Sequence, residues 1–526
     1  MDKRLGIWAA LISLSALISF FGCEQSENVR RPNILICISD DQSFPHAGAY
    51  GCRWVKTPVF DRVASNGLLF QRAYTPDAKC APSRSALLTG RNPWQLEEAV
   101  NHVPLFPEGF ETFPEVLEQG GYHVGYTGKG WGPGNPGLKE GVKRKLAGRE
   151  YNQEKRVPIT TGISNIDYVK NFSQFIASKK EDTPFCFWFG AKEPHRPYEF
   201  KSGLKNGKSL NEIDRMHSFW PDNDTVKNDL LDYAFEIEYF DQQIGEMLDL
   251  LEENGELFNT IVIITSDNGM PFPRVKGQEY EFSNHLPLAI MWPKGILNAG
   301  RSIEDFVSLT DLAPTILSEA VINPEIIAQM KMEGNSLSPY FEDHLNDNAR
   351  NHVLVGKERH DVGRPGDVGY PIRGIISKEF VYLKNFFKSR WPAGNPETGY
   401  MNCDGSPTKT SVLNTNRLNP TKEWELCFGK RPEEELYRYK SDPDCIANLA
   451  EIIDYDETKQ ALLAKMVGQL RLQGDLRVLG KADEYEGYAY ADSATLHFYE
   501  RYMAGENVQA RWINESDIDT LKNLER

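Results

Sequence analysis

Three continuous apolar runs of strand length, at 33–39, 184–190 and 260–266, constrain the fold of this chain more than any other feature. An alternating apolar and polar strand covers one face of a sheet, whereas an unbroken apolar run fits a central parallel strand that is buried on both faces. Helical patterns lie between the runs, at 112–119 and 229–253. Alternating strands and helices predict an α/β fold in which helices cover both faces of a mostly parallel sheet.

Polar residues follow each apolar run near the point where it ends. Asp40 and Asp41 directly follow the first run, and Asp267 and Asn268 directly follow the third. His195 comes shortly after the second run. Because ligands of open α/β sheets gather at the carboxyl ends of the strands, these side chains are expected to form one site. The alternative interpretation is that the two acidic pairs only form turns after strands.

Residues 80–91 read C-A-P-S-R-S-A-L-L-T-G-R and match the pattern C-x-P-S-R-x-x-x-L-T-G-R at every fixed position. In this stretch the chain resembles the type I sulfatases, whose cysteine is oxidised to formylglycine during synthesis. Residues 266–273 are similar to the S-D-N-G-x-P-F-P motif of the N-sulfoglucosamine sulfohydrolase (sulfamidase) branch. The alternative for Cys80 is a buried structural thiol.

The resemblance extends over roughly residues 32–449. It implies an alkaline-phosphatase-like α/β fold with a smaller C-terminal α+β domain built on an antiparallel sheet. It also implies a formylglycine-generating maturation enzyme as a partner.

A divalent cation is the first cofactor that the resemblance implies. A sulfate ester is negatively charged and repels nucleophiles, so its cleavage calls for a metal ion and cations that neutralise its oxygens. Four residues match the metal ligands of the family: Asp40, Asp41, Asp267 and Asn268. Three carboxylates and an amide oxygen suit Ca²⁺ or Mg²⁺ better than Zn²⁺, and Ca²⁺ is expected.

The resemblance also implies the catalytic groups. Cys80, as formylglycine, hydrates to a diol; one hydroxyl attacks sulfur and the second expels sulfate. Arg84 holds the diol, and Lys129 contacts the sulfate. His195 binds sulfate and protonates the leaving group, and Lys276, in a K-G-x-x-[WY]-E motif, contacts sulfate or the leaving oxygen. For each lysine the alternative is an exposed surface residue.

Position 131 departs from the family. The usual pattern after the active-site lysine is G-K-x-H, and this chain has Trp131 where the histidine is expected. That histidine assists in deprotonating the diol, so turnover requires another base, for which His102 and His360 are candidates.

The substrate is expected to be an oligosaccharide of a sulfated polysaccharide, either of the algal ulvan or carrageenan type or a glycosaminoglycan, with O- or N-sulfate left open. His360 and Arg373 match a histidine and an arginine that lie at the substrate pocket of the sulfamidase branch. Together with Arg196 they are expected to line the pocket and bind sugar carboxylates or hydroxyls.

Two alternatives to this function remain at this stage. The first is a phosphodiester or phosphonate monoester hydrolase, because some of those enzymes use the same modified cysteine and fold. The second is a non-catalytic lipoprotein that binds sulfated glycans, which Trp131 suggests. A sulfatase releases sulfate from a sulfate ester, whereas a phosphonate hydrolase prefers a phosphonate ester and a non-catalytic lipoprotein binds sulfated glycans without releasing sulfate.

The first residues resemble a bacterial lipoprotein export signal. A basic start precedes an apolar run at 5–21, and Gly22 precedes Cys23. We expect residues 1–22 to be a signal peptide, Cys23 to be lipidated and 23–31 to be a polar tether, which would anchor the protein by lipid in the cell envelope, at the outer membrane or in the periplasm. An ordinary cleaved signal peptide is the alternative; a permanent transmembrane helix fits less well, because the run is short.

The rest of the chain divides by pattern and composition. We predict a catalytic domain at 32–369, a smaller domain at 370–490 and a C-terminal extension at 491–526, with a long loop at 389–422 that is rich in Pro, Gly and Asn. The net charge of −16 excludes a nucleic-acid partner on bulk electrostatics. An anionic substrate must therefore be held by local cations.

Overall fold

A computed structural model describes residues 31–344 and 349–519. The predicted signal peptide and the lipidation site Cys23 lie outside the described residues. Within the described residues, no helix has the length and apolar character that crossing a membrane requires.

Seventeen strands are present in the described part of the chain. They are β1 (Asn33–Ser39), β2 (Leu68–Phe70), β3 (Ala73–Tyr74), β4 (His123–Gly128), β5 (Leu138–Lys139), β6 (Val142–Lys143), β7 (Arg149–Glu150), β8 (Phe185–Gly190), β9 (Thr260–Ser266), β10 (His285–Leu286), β11 (Leu288–Met291), β12 (Arg301–Ile303), β13 (Val307–Ser308), β14 (His352–Lys357), β15 (Ile372–Ser377), β16 (Val381–Asn385) and β17 (Glu434–Tyr437).

Helices separate many of these strands. They are α1 (Pro58–Ser65), α2 (Cys80–Thr89), α3 (Phe113–Gln119), α4 (Tyr168–Ser178), α5 (Ser202–Lys205), α6 (Asp224–Glu253), α7 (Glu281–Asn284), α8 (Leu312–Glu319), α9 (Pro324–Gln329), α10 (Ser338–Phe341), α11 (Pro407–Leu418), α12 (Lys422–Phe428), α13 (Asp456–Leu472), α14 (Asp483–Gly487) and α15 (Phe498–Met503).

The large sheet has eight strands in the order β12-β2-β11-β9-β1-β8-β4-β7. Strands β9, β1, β8, β4 and β7 are parallel, and β11 is antiparallel to both of its neighbours. All seven residues of β1 are buried, and so are all residues of β8 and β9, because separate apolar clusters cover the two faces of the sheet. This confirms the prediction of an α/β fold with a mostly parallel sheet that is covered on both faces.

The strand register aligns the carboxyl ends of four strands. Ser39 of β1 lies opposite Ser266 of β9, and Ile38 lies opposite Gly190 of β8. Gly190 in turn lies opposite Gly128, the last residue of β4. The segments that follow these four strands therefore begin at one edge of the sheet.

The C-terminal part is built on a second sheet, with the strand order β14-β15-β16-β17 and antiparallel pairing throughout. This confirms the predicted smaller antiparallel sheet. Strand β14 precedes residue 370, so the sheet starts before the predicted domain boundary. The boundaries themselves stay a prediction.

The prediction of a long loop at 389–422 is wrong in part, because residues Pro407–Leu418 within it form α11. Ser406 has an extended backbone and its hydroxyl accepts a hydrogen bond from the Lys409 N–H, which caps the helix. Pro407 occupies the first turn, where its missing N–H costs nothing. Ser406 and Pro407 therefore mark the start of a helix, although a serine followed by a proline also fits a loop.

Candidate active site

Carboxylates and an amide meet at the carboxyl edge of β1 and β9. Asp40 and Asp41 continue from β1, and the Asp41 N–H donates to Asp267 Oδ1 at 3.0 Å. Asn268 Nδ2 donates to Asp41 Oδ1 at 2.7 Å. Asp41 has a φ of 77°, in the left-handed region, so this turn is held by its surroundings. The structure therefore brings the four predicted metal ligands together.

Cys80 begins α2 beside these carboxylates. Its Sγ atom lies 3.5 Å from Asp40 Oδ1 and 3.9 Å from Asp41 Oδ1. Burial raises the pKa of the Cys80 thiol well above its ordinary value. An unmodified thiol at this position stays protonated at neutral pH and is a poor nucleophile.

Arg84 lies one turn further along α2 and is fully buried. Its Nε atom donates to Asp267 Oδ2 at 2.8 Å, and one terminal nitrogen donates to the Lys129 carbonyl at 2.9 Å. The other terminal nitrogen is 3.7 Å from Asp40 Oδ1 and has no hydrogen-bond partner. Arg84 thus joins the strand ends to the helix that carries Cys80.

Lys129 follows Gly128 at the end of β4. Gly128 has a φ of +77°, and a Cβ atom there would lie 2.0 Å from the Gly190 carbonyl oxygen, so only glycine fits this turn. Lys129 Nζ donates to both oxygens of Asp40, at 2.9 and 2.7 Å. Burial alone would lower the pKa of Lys129, but the negative groups around it, Asp40 foremost, together outweigh burial and the pKa is raised. The ammonium stays charged.

Lys276 makes a second ion pair with the cluster. Its Nζ atom donates to Asp41 Oδ2 at 2.6 Å and to Asp404 Oδ2 at 2.9 Å. Burial opposes the charge, but Asp404 and Asp41 raise the pKa of Lys276 well above its ordinary value. Two lysines and an arginine therefore surround three carboxylates beside Cys80.

His195 is the most open side chain of the group, with 34% of it exposed. Its Nδ1 atom lies 2.7 Å from the Arg196 carbonyl oxygen, and Nε2 lies 3.8 Å from Asp41 Oδ2. The backbone contact fixes the ring so that Nε2 points to the cluster. This arrangement suits a group that meets an incoming substrate.

The residues present fit a hard divalent cation. One ligand atom each of Asp40, Cys80 and Asp267 lies within 4.8 Å of the others. Asn268 Oδ1 is buried without a hydrogen-bond partner, which suits a metal ligand. Burial, with Asp40 beside it, raises the pKa of Asp267, and a bound cation would favour its ionised form.

Two predicted pocket residues do not line an open pocket. His360 is fully buried and its Nε2 atom is 2.8 Å from Asp77 Oδ1. Arg373 is also fully buried, and its guanidinium donates to both oxygens of Asp475 and to Glu358. Their pairing with internal carboxylates corrects the expectation that they contact the sugar.

Arg196 is held in a similar way but lies closer to the surface. Its two terminal nitrogens donate to the two oxygens of Asp229, each at 2.8 Å, and its Nε donates to the Pro271 carbonyl. Its guanidinium lies over the rings of Tyr198 and Phe272. The side chain forms part of a cavity wall rather than presenting a free charge.

Trp131, at the position of the expected histidine, and His102, a candidate replacement base, both lie near α2. Trp131 Nε1 donates to Ser85 Oγ on α2 at 2.8 Å, and its ring packs edge-on against Phe106. His102 Nδ1 lies 2.8 Å from Asp361 Oδ1, and Lys79 Nζ lies 2.8 Å from Asp361 Oδ2. Through Lys79, the residue before Cys80, His102 is connected to the start of α2.

Sequence reasoning missed Asp404, Lys79 and Asp361. Asp404 lies in the stretch predicted as a loop, far along the chain from the motifs, and no spacing marks it. Burial alone would raise its pKa, but Lys276, Lys79 and His195 together outweigh burial and hold the pKa well below the ordinary range. Lys79 directly precedes the Cys80 motif, and this adjacency is the one signal that could have singled it out.

Comparisons with known proteins agree with this geometry. A family model described as Sulfatase matches residues 32–321. The chain is 27% identical to an ulvan-active sulfatase of Formosa agariphila, with 85% of this chain and 81% of that protein covered. It is 28% identical to human N-sulphoglucosamine sulphohydrolase, with 80% and 86% covered.

A solved structure from work on glycosaminoglycan metabolism by Bacteroides thetaiotaomicron has the same fold. Its TM-score is 0.62 at 17% identity, and the match covers 86% of this chain and 99% of that one. At this identity the likeness concerns the fold alone.

Proposed function

The chain belongs to the sulfatase family and is a sulfuric ester hydrolase, and from this premise we propose that it removes sulfate from oligosaccharides of a sulfated polysaccharide through a formylglycine made from Cys80. The names of its relatives, an ulvan-active sulfatase and an N-sulphoglucosamine sulphohydrolase, support a sulfated glycan as the substrate class. The polysaccharide is proposed to be of the ulvan or carrageenan type or a glycosaminoglycan.

The observation that carries the proposal is the setting of Cys80. Cys80 is the first residue of the fully buried helix α2, and its Sγ atom lies within 4 Å of Asp40 and Asp41. Lys129 donates to Asp40, and Lys276 donates to Asp41. Burial holds the thiol protonated, which makes it a poor nucleophile and supports an oxidised residue 80 as the nucleophile. Conversion by a formylglycine-generating enzyme is therefore part of the proposal.

The chain's own cations bind the sulfate. Lys129, Lys276 and Arg84 neutralise its oxygens as charge shifts towards the leaving oxygen. His195 is partly exposed and donates the proton to the leaving oxygen from Nε2, since Nδ1 is held at the Arg196 carbonyl. Lys129 also contacts the diol, and Arg84 fixes its position from α2.

We propose that Asp40, Asp41, Asp267 and Asn268 hold a divalent cation, with Ca²⁺ preferred over Mg²⁺. Oxygen ligands from carboxylates and an amide match the preference of either ion. When bound, the cation supplies positive charge that polarises the sulfate and the nucleophilic oxygen.

The cellular location is a separate proposal. The export signal supports a protein that is anchored by lipid on Cys23 in the bacterial cell envelope. Labelling with a palmitate analogue and fractionation of wild-type and Cys23→Ala cells test this proposal. An unlabelled protein found entirely in the medium would contradict it.

Sulfate release is the test of the activity. Heparin, chondroitin, ulvan and carrageenan oligosaccharides are incubated with protein in which conversion of residue 80 has been measured by mass spectrometry, with Cys80→Ala as the control. An aryl sulfate and an aryl phosphonate are assayed alongside, because faster turnover of the phosphonate would indicate a phosphonate hydrolase. Complete conversion without release of sulfate from any substrate would contradict the proposed function.

A further inference from the structure

A second cluster of titratable side chains lies in the interior and takes no part in the chemistry described above. Asp77, Glu279 and His360 form this group, the Asp77 cluster, and all three are fully buried. One ligand atom of each residue lies within 4.8 Å of those of the other two. None of them is a proposed ligand of the cation beside Cys80, so the Asp77 cluster is a separate group.

Three segments that are distant in the chain meet at the Asp77 cluster. Asp77 lies in the turn that precedes α2, Glu279 comes just before α7, and His360 follows β14. Asn284, the last residue of α7, donates from Nδ2 to Glu279 Oε2 at 2.8 Å and so fixes this carboxylate to the helix. A ligand shared by the three residues would therefore tie the segment before Cys80 to α7 and to β14.

The two carboxylates of the cluster have no cationic partner in the described part of the chain. No lysine or arginine nitrogen of the described residues lies within 4.0 Å of a carboxylate oxygen of Asp77 or Glu279. Lys357 donates to the Gly277 carbonyl instead, and Arg373 donates to two other carboxylates. Two buried carboxylates without a paired cation are costly, because burial removes the water that would solvate them.

Each member of the cluster also has a buried atom without a hydrogen-bond partner. These atoms are Asp77 Oδ2, Glu279 Oε1 and His360 Nδ1. The second nitrogen of the imidazole, Nε2, lies 2.8 Å from Asp77 Oδ1. Because buried polar atoms are rarely left unpaired in native proteins, three such atoms in one cluster indicate a group that the side chains bind together.

The pKa values of the cluster support a shortage of positive charge. Burial and the nearby Glu279 raise the pKa of Asp77 well above its ordinary value, and burial raises the pKa of Glu279 to about 7. Burial also lowers the pKa of Lys357 to about 7, so this lysine offsets at most one of the two carboxylates. Protons or a bound cation must supply the remaining positive charge.

The donor atoms of the cluster favour one kind of cation. An imidazole nitrogen with two carboxylate oxygens suits Zn²⁺, whereas Ca²⁺ and Mg²⁺ prefer oxygen ligands alone. Burial and the surrounding cations lower the pKa of His360, which leaves the ring neutral, as a metal ligand must be. Bonds of about 2.0–2.1 Å place the ligand atoms of a tetrahedral Zn²⁺ about 3.4 Å apart. Small side-chain rotations would bring the three atoms to that spacing.

We propose that Asp77, Glu279 and His360 form a structural Zn²⁺ site, distinct from the proposed Ca²⁺ site, that holds the segment before Cys80 in place. Binding of the ion displaces the protons that the carboxyl groups would otherwise retain and neutralises both carboxylates. Because the cluster is fully buried, the ion enters as the chain folds. The proposal does not depend on the substrate, so it is tested independently of sulfatase activity.

Metal analysis of the full chain tests the site. Wild-type protein is folded with Zn²⁺ and an excess of Ca²⁺, freed of unbound metal by gel filtration and analysed by mass spectrometry of the elements. We expect zinc in an amount equal to the protein, and a loss of zinc by about tenfold or more in Asp77→Asn and in His360→Gln. Asp241→Asn is the matched control, because Asp241 is a buried carboxylate of α6 outside the cluster, and it should keep the zinc.

X-ray absorption at the zinc edge is a second measurement, and it needs no variant to fold. In wild type it should show a shell of oxygen and nitrogen atoms that includes histidine. Absence of zinc from wild type, a shell without histidine, or equal zinc in wild type and folded Asp77→Asn would overturn the proposal. Absence of zinc from a wild-type protein that Asp77→Asn does not destabilise would show that protons, rather than a metal, neutralise the carboxylates.

Discussion

Lys276 and Asp404 form an ion pair of 2.9 Å although 128 residues separate them in the chain. The same ammonium donates to Asp41 at 2.6 Å. One lysine thus joins a proposed metal ligand after β1 to a carboxylate in the segment before α11. The active site is therefore assembled from the catalytic sheet and from the C-terminal part together.

Removal of Asp404 should impair catalysis without unfolding the protein. In Asp404→Ala, Lys276 keeps only Asp41 as a partner and turns towards it, so kcat is expected to fall by about tenfold to a hundredfold. Asp404→Glu should restore part of the loss. Steady-state kinetics with an aryl sulfate measures the effect, and Asp454→Asn, at an exposed position away from the active site, is the control. Wild-type kcat in Asp404→Ala would contradict the role.

Substitution of Cys80 should abolish sulfate release. Cys80→Ala removes the thiol group, without which the Cβ carbon is not oxidised to the aldehyde of formylglycine, so turnover should fall to background while the fold is kept. Cys186→Ala, a buried thiol in β8, is the matched control and should keep turnover. Sulfate release and peptide mass spectrometry measure the two results. Persistent release by Cys80→Ala would exclude the proposed mechanism.

Calcium should raise the thermal stability of the protein, an effect that can be measured independently of its activity. A cation held by Asp40, Asp41 and Asp267 would offset the burial and the Asp40 charge that raise the pKa of Asp267, so addition of Ca²⁺ after chelation should raise Tm by several degrees. Asn268→Ala, which removes a proposed ligand, should reduce this shift. Asp444→Asn should keep it, because Asp444 pairs with His217 and Ser218 elsewhere. An equal shift in Asn268→Ala would argue against this ligand set.

Trp131 should contribute packing rather than chemistry. Trp131→Phe loses the hydrogen bond to Ser85 and should cost about 1 kcal/mol of unfolding free energy while keeping most turnover. Trp131→Ala, which also loses the contact with Phe106, should cost ~2–3 kcal/mol. Denaturant unfolding and kinetics are measured on both variants. A large loss of kcat in Trp131→Phe with unchanged stability would instead assign the indole N–H to the reaction.

Asp241 should make stability depend on pH below neutrality. Burial raises its pKa from 3.8 to about 7, although the Val59 and Phe60 N–H groups oppose this shift. Because the folded protein holds this proton more tightly than the unfolded chain, the contribution to stability is complete below about pH 4 and is lost as pH rises through 7. Asp241→Asn should flatten the slope of unfolding free energy between pH 4 and 7. An unchanged slope would show that Asp241 does not hold the proton.

Much of this protein was determined by local sequence. Unbroken apolar runs predicted the buried parallel strands, because neither face of a strand that is covered on both sides contacts solvent, and both faces therefore carry apolar residues. The pattern around Cys80 and the polar residues after β1 and β9 predicted which side chains meet, since parallel strands end at one edge of the sheet. Asp40 and Lys129 directly follow strand ends and His195 lies five residues after one, so their meeting depends on a topology that the sequence pattern already indicates.

Only the tertiary structure decided the rest. Asp404 reaches Lys276 from a distant segment, and no local spacing indicates such a contact. His360 and Arg373 have side chains suited to a sugar, yet internal carboxylates pair with them and remove them from solvent. The cavity whose wall includes Arg196 exists only because α6, α11 and the C-terminal extension pack around it. Local patterns specify which residues form strands and helices, but pairing of buried charges and the shape of a cavity depend on which distant elements pack together.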